Sequence, residues 1–354
     1  MIVVHNNDDI WDAIINGKER CVLATIIHVD GSAYRKEGVN MLFLENGQQI
    51  GMISAGCLET DLAIQAKQLF DHETAYSRTV RYDMRSEDDL SWGRGAGCSG
   101  IIHILLEKIH SQLKRELTTA YTYLCADTPL FACTFLRKDN EKLRTDFITM
   151  DNRPLVGEPI IHFQPLIDIA LKTNQAKIHS FNNDKVFIQP LHPKPRLFIF
   201  GAGPDSRPLA SLADQIGFSV FIWDWRPTYL QNEYFPQATL LKDPSLSETC
   251  KASHFRTSDS VIVMTHDFQK DKEIIQLLPL YEHIHYLGIL GPRKRTKRLF
   301  QGKNIPTEIH SPIGLSIGAD GPMEISISII AELIATQHKG PPTKKMHMAS
   351  KMLR

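Results

Sequence analysis

The chain has 354 residues and equal numbers of basic and acidic side chains, 40 Lys+Arg against 40 Asp+Glu. This excludes a global field that would draw it to nucleic acid or an anionic membrane, while the length suffices for two domains that each bury a core. No apolar run is long enough to span a bilayer and the first residues lack the basic start and apolar core of a secretory signal, so a cytoplasmic location is expected.

From the N-terminus, residues 8–17 carry apolar positions at helical spacing and end on Gly17, as a helix does. Residues 21–29 form an apolar run of strand length, and residues 40–54 a hairpin turning at Asn46-Gly47. A helix follows over 57–71, then strands at 78–84 and 100–109. Residues 110–190 extend this first domain with a strand–turn–strand over 130–150 and a helix near 165–173. Pro190, Pro193 and Pro195 then mark a linker at about residues 189–195. Beyond it, strands at 196–200, 219–224, 258–267 and 285–291 alternate with helices at 206–217, 271–280 and 293–300, and a long helix closes at 322–339. The expectation is α/β: a mixed N-terminal domain over 1–190, then a Rossmann-like, doubly wound parallel sheet over 194–340.

The six cysteines, Cys21, Cys57, Cys98, Cys125, Cys133 and Cys250, include no CxxC pair, so neither a zinc site, a disulfide framework nor Fe–S wiring is indicated. Cys21, Cys125 and Cys133 fall in apolar patterns and read as core; Cys250 reads as a surface residue. Cys57 and Cys98 differ. Cys57 follows Gly56 where a strand gives way to a helix, so its thiol is expected to meet the positive end of the helix dipole. Cys98 follows Gly97 in a glycine-rich loop able to turn backbone N–H groups toward an anion. Between Gly31 and Gly38, Ser32, Arg35 and Lys36 suit a phosphate or pterin substituent.

In the second half, Gly201 and Gly203 end the first strand as in a dinucleotide loop, and Asp224 ends the next strand about twenty residues on, where an acid can accept from a ribose hydroxyl. Ser206 replaces the third glycine, Pro204 removes an N–H, and Asp205 brings negative charge to the phosphate position. His266, Asp267, Gly291, Arg293 and Asp320 follow strand ends or precede the last helix, which places them on the same rim.

Taken in order, Gly31-Ser32 with Arg35, Gly56-Cys57-Leu58-Glu59, Gly97-Cys98-Ser99-Gly100, Gly201-Ala202-Gly203, Asp224 with Arg226, Thr265-His266-Asp267, Tyr286-Leu287-Gly288 through Arg293, and Pro312-Ile313-Gly314-Leu315 resemble the XdhC/CoxI family, which accompanies molybdenum enzymes. Pro204 stands where the family usually has His, and Ser316 where it often has Asp. The resemblance implies an accessory factor in purine catabolism rather than the redox enzyme itself. It would bind molybdenum cofactor (molybdopterin), hold it while a cysteine desulfurase supplies sulfur, and deliver it to a xanthine-dehydrogenase-type molybdenum hydroxylase. It also implies a homodimer. Cys57 and Cys98 would handle the cofactor or its sulfur. Ser32, Arg35, Gly56, Gly97, Gly201, Gly203, Asp224, His266, Asp267, Gly291, Arg293 and Asp320 would contact it. Two other readings stand beside this one: an NAD(P)-dependent oxidoreductase using the Rossmann-like domain, and a docking module without a ligand.

Overall fold

The computed structural model describes residues 7–72, 75–85, 100–151, 153–155, 164–181, 184–278 and 284–337. The chain forms two compact units, Met1–Pro193 and Lys194–Arg354. No helix among the described residues is long and apolar enough to cross a membrane.

The first unit contains α1 (Asn7–Asn16), β1 (Cys21–Asp30), β2 (Asn40–Leu44), β3 (Gln49–Gly51), α2 (Glu59–Asp71), β4 (Ser77–Asp83) and β5 (Ile101–Lys108). It continues with α3 (Ser111–Cys125), β6 (Leu130–Leu136), β7 (Lys142–Thr149), α4 (Gln164–Thr173), β8 (Lys177–Phe181) and β9 (Asp184–Leu191). Two antiparallel sheets result, in the orders β3-β2-β1-β5-β4 and β7-β6-β9-β8. The β2–β3 hairpin turns at Asn46-Gly47 with Gly47 at φ +88°, a conformation glycine adopts without steric cost.

Alternation along β1 divides the unit into layers. Val22, Ala24 and Ile26 pack with Leu62, Ala66 and Leu69 of α2. The opposite face of β1, with Cys21 and Leu23, meets Leu113 and Leu117 of α3 and Ala132 of the second sheet. The outer face of that second sheet, with Phe131, Cys133 and Ile188, is covered by Ile167 and Ala170 of α4. Both faces of β1 and β6 are thus covered, which is why these strands are apolar almost throughout.

The second unit contains β10 (Arg196–Phe200), α5 (Ser206–Gln215), β11 (Ser219–Trp223), β12 (Thr239–Leu241), α6 (Leu246–Ser253), β13 (Ser260–Val263), α7 (Phe268–Leu277), β14 (Tyr286–Ile289), α8 (Arg293–Leu299), β15 (Ile309–His310) and α9 (Gly321–Gln337). Its six strands are all parallel, in the order β12-β11-β10-β13-β14-β15. This is the Rossmann order, with the reversal of winding between β10 and β13. Leu209 and Ala213 of α5 and Ile329 and Leu333 of α9 pack on one face; Leu246 of α6, Ile274 of α7 and Leu299 of α8 pack on the other.

Two cysteine assignments change. Cys250 is fully buried, because it lies one turn after Leu246 on the core face of α6, a helix the sequence pattern did not reveal. Burial pushes its thiol up to about 11. Cys125 is exposed: it is the last residue of α3, just outside the buried stripe Leu113, Leu117, Ala120, Leu124. Cys250→Ser is therefore expected to cost about 1–3 kcal/mol in urea unfolding, since it puts a polar hydroxyl into an apolar core, whereas Cys125→Ser is expected to stay within about 0.5 kcal/mol.

Candidate functional site

In the first unit the strongest feature is the turn between β3 and α2. Gly56 adopts φ +102°, with open space where a side chain would stand, so the backbone conformation rather than crowding calls for glycine. Ala55, Gly56 and Cys57 are exposed, and the thiol stands free on the surface. Beneath it, Glu59 is 3% exposed. Its Oε1 accepts from the N–H groups of Ile53 at 3.1 Å and Ser54 at 2.6 Å. Its Oε2 accepts from the N–H groups of Gly56 and Leu58, each at 3.2 Å, and from the Ser54 hydroxyl. The Ser54 Oγ in turn accepts from Leu58 N–H at 2.9 Å. Four amides of this turn, which could otherwise face an external anion, are thus bound by an internal carboxylate. Glu59 was legible only as part of the Gly-Cys-x-Glu spacing; its work as an acceptor for the whole turn was not.

Ser32 is exposed and Arg35 half-buried in the loop after β1. The Arg35 Nε is shielded from solvent and has no hydrogen-bond partner among the described residues. Gly100, the residue before β5, lies against this loop: a side chain there would stand 2.7 Å from the carbonyl oxygens of Asp30 and Ser32. Gly100, the last residue of the Gly97-Cys98-Ser99-Gly100 element, thus lies at the Ser32 loop, while Gly97, Cys98 and Ser99 lie outside the described residues.

In the second unit the loop after β10 is packed from below and filled from above. Gly201 adopts φ +127°, and a side chain there would stand 2.3 Å from Met264 O, so glycine lets β10 and the end of β13 approach. A side chain at Gly203 would meet Asp205 Oδ1 at 2.6 Å. The space a pyrophosphate would use at that glycine therefore holds the chain's own carboxylate. Asp205 also accepts from His266 Nε2 at 2.6 Å, and His266, at φ +59°, keeps 62% of its side chain exposed.

Asp224 is 2% exposed. Its Oδ2 accepts from Ala202 N–H at 2.8 Å and Arg226 Nη2 at 2.9 Å; its Oδ1 accepts from Arg226 N–H and Nε, both at 2.9 Å. Arg226 is stacked between Trp225 and Tyr229, 4.4 and 4.1 Å from their ring centroids. Asp224 accordingly ties the glycine loop to β11 from within.

The remaining rim residues divide by exposure. Asp267 caps α7, accepting from Lys270 N–H at 2.8 Å. Thr265 is buried and hydrogen-bonds to Asp271, which pairs with Arg295. Gly291 adopts φ +122° after β14, Arg293 is the exposed first residue of α8, and the exposed Asp320 donates its N–H to Glu324 at 2.8 Å ahead of α9. Among the described residues no cluster of three or more metal-ligating side chains occurs.

Comparison with known proteins follows this geometry. Residues 14–83 match the model of the XdhC and CoxI family, and residues 197–333 match the XdhC Rossmann domain. The chain is 41% identical over 329 residues to a protein of Bacillus subtilis (strain 168) named as a probable xanthine dehydrogenase subunit, covering 93% of this chain and 96% of that one. It is 23% identical over 335 residues to the molybdenum cofactor insertion chaperone PaoD of Escherichia coli (strain K12), covering 92% and 86%. A crystal structure described as a xanthine dehydrogenase from Bacillus halodurans superposes with a TM-score of 0.82 at 38% identity, covering 96% of this chain and 98% of that one.

Proposed function

This chain belongs to the XdhC and CoxI family, and from that membership we propose that it binds a molybdenum cofactor of the molybdopterin type, supports its sulfuration and passes it to a xanthine-dehydrogenase-type enzyme. The observation that carries the reading is the exposed Cys57 thiol on a turn fixed by a buried carboxylate. A cysteine sulfur is a soft donor suited to a transition metal, and a turn already fixed needs no ordering when the ligand arrives. Arg35, with its Nε lacking a partner among the described residues, and Ser32 suit the cofactor's phosphate. The amides of Ile53, Ser54, Gly56 and Leu58 do not, because Glu59 has taken them. The cofactor when bound would supply the molybdenum and pterin chemistry that the client enzyme uses. This chain's residues hold and shield it. A cysteine desulfurase as sulfur source, a second copy of this chain, and a role for Cys98 as second thiol belong to the same proposal.

Mixing the purified full chain with molybdenum cofactor, and following retention by mass spectrometry and absorbance, tests it. Retention is expected for the wild type, with at least about a tenfold weaker affinity for Cys57→Ala, equivalent to about 1.4 kcal/mol. Equal retention by Cys57→Ala, or none by the wild type, overturns the reading.

The NAD(P)-dependent oxidoreductase reading loses support on specific grounds. Asp205 stands at the phosphate position and Asp224, the residue meant for a ribose, is buried and bound to Arg226 and Ala202. A fluorescence titration with NAD and NADP is expected to give no saturable binding at micromolar concentrations.

A further inference from the structure

Between the two sheets of the first unit lies a cavity of about 60 Å³, remote in sequence from the Cys57 turn. Its walls are apolar for the most part, with Trp11, Phe147 and Phe187 supplying aromatic surface. Six polar side chains interrupt them: Thr25, Asn40 and Glu107 from the first sheet, and Thr134, Thr145 and Gln189 from the second. Their positions are in register. Thr25 is directly opposite Asn40 across β1 and β2, and Thr134 directly opposite Thr145 across β6 and β7. Glu107 is opposite Leu23, two residues from Thr25, and Gln189 is opposite Ala132, two residues from Thr134. Each inner face therefore carries one polar patch, and the flanking positions of the same strands are Leu23, Ile27, Leu105, Ala132, Phe147 and Leu191.

Thr25, Glu107 and Thr134 are buried and Asn40, Thr145 and Gln189 half-buried; a core that only had to fill space would not gather polar groups at six facing positions, because withdrawing each from water costs free energy unless it is hydrogen-bonded. Among the described residues the partners are incomplete. Asn40 Oδ1 accepts from Thr25 Oγ1 at 2.8 Å, which leaves the Asn40 N–H pair to be donated. Gln189 Nε2 donates to Gly38 O at 2.8 Å, which leaves Gln189 Oε1 to accept. The hydroxyls of Thr134 and Thr145 are 3.0 Å apart, and one of their two protons is left over. Glu107 pairs with Lys142, both nearly buried, so the two charges cancel and the site favours neither sign.

We propose that this cavity is a binding site for a neutral, single-ring heterocycle with a lactam edge, about the size of uracil. A lactam carries an N–H beside a C=O, the complement of a free Gln189 Oε1 and a free Asn40 N–H pair. The aromatic and aliphatic walls suit the faces of a flat ring. At roughly 10–15 Å³ for each water on this measure, the cavity has room for about five waters, enough for one ring and too little for a nucleotide. The proposal is independent of the cofactor reading, since none of these residues belongs to the Cys57 turn or the glycine loops.

Isothermal titration of the purified full chain with uracil, and separately with toluene, tests the assignment. Uracil is expected to bind one to one and more tightly than toluene. Gln189→Leu is expected to weaken uracil by about tenfold or more, the value of one lost hydrogen bond to a buried group. Ala132→Leu, which fills the cavity with a side chain of the same apolar kind, is expected to abolish binding while circular dichroism stays that of the wild type; it keeps the test decisive should Gln189→Leu fail to fold. No heat with uracil means that the cavity holds water alone and overturns the proposal. Toluene binding more tightly than uracil overturns the lactam assignment, and unchanged uracil affinity in Ala132→Leu removes the ligand from this cavity.

Discussion

Glu59→Ala is expected to destabilise the first unit by about 4 kcal/mol and to release the turn that carries Cys57. The carboxylate accepts from four backbone N–H groups and one hydroxyl while almost wholly buried. Hydrogen bonds to a charged group are worth about 1.5–3 kcal/mol each. Removing the acceptor recovers the desolvation of one carboxylate, and the Gly56 N–H, next to exposed surface, can turn to water. The amides of Ile53 and Ser54 belong to buried residues and lose their partner, while the Leu58 N–H keeps the Ser54 hydroxyl at 2.9 Å. The balance falls among the large single-site effects, above the ±0.5 kcal/mol typical of surface changes. Glu59→Gln keeps one accepting oxygen but turns an N–H₂ toward N–H donors, and is expected to fall between wild type and alanine. Urea unfolding gives the stability. Site-resolved mass spectrometry after iodoacetamide treatment gives the alkylation rate of Cys57, with the exposed Cys125 as internal reference. A rate ratio that changes while stability drops marks a turn that has lost its geometry. Stability within about 0.5 kcal/mol of wild type would show that Glu59 does not hold it.

The second unit was the more legible in sequence. A strand ending in Gly201-Ala202-Gly203, a helix, a strand ending in Asp224, and further apolar runs at βα spacing admit few folds other than the observed parallel sheet. What escaped there was short: β12, α6 and β15 span 3, 8 and 2 residues, too few for periodicity to register. The misreading of Cys250 follows directly from the missed α6. In the first unit the sequence reading found most elements up to β5 but missed α3, β8 and β9 in the extension, and it missed the assembly. Nothing local in β6 or β9 reveals that they form a second sheet facing the first, because antiparallel pairing between residues as distant in sequence as Leu130 and Leu191 leaves no local pattern. The cavity and its polar patches arise from that long-range pairing and were invisible for the same reason. At the site, the sequence identified the exposed Cys57 and the glycine turns through backbone requirements, which are local. It did not identify which acceptors fill those turns. Glu59 and Asp224 both have backbone amides as partners, and the Asp205 carboxylate reaches His266 only through the tertiary fold.

Asp224→Ala is expected to cost about 3 kcal/mol at neutral pH, with an acid dependence that identifies the carboxylate as the cause. Burial pushes the Asp224 carboxyl up, but the hydrogen bonds from Arg226 and from the Ala202 and Arg226 amides, with the charge of Arg226, outweigh it and hold the group below its usual range. Breaking a buried ion pair by removing one partner costs about 3–5 kcal/mol. The low end applies because Arg226, 35% exposed, can return to water once released. The Ala202 N–H belongs to a buried residue and cannot do so as readily. A carboxylate whose folded-state pKa is lowered contributes stability that is present above its unfolded value, about 3.9, and is lost as pH falls through the lower folded value. The gap between wild type and Asp224→Ala is therefore expected to be full at pH 6–7 and to close progressively below about pH 4. Urea unfolding followed by tryptophan fluorescence, to which Trp223 and Trp225 beside the substitution contribute, reads this directly. A gap that stays constant from pH 7 down to the acid limit of folding would assign the loss to packing and remove the ion pair from the account. A full gap that closes in acid would leave Asp224 as the tie between the glycine loop and β11, with no oxygen left over for a ribose.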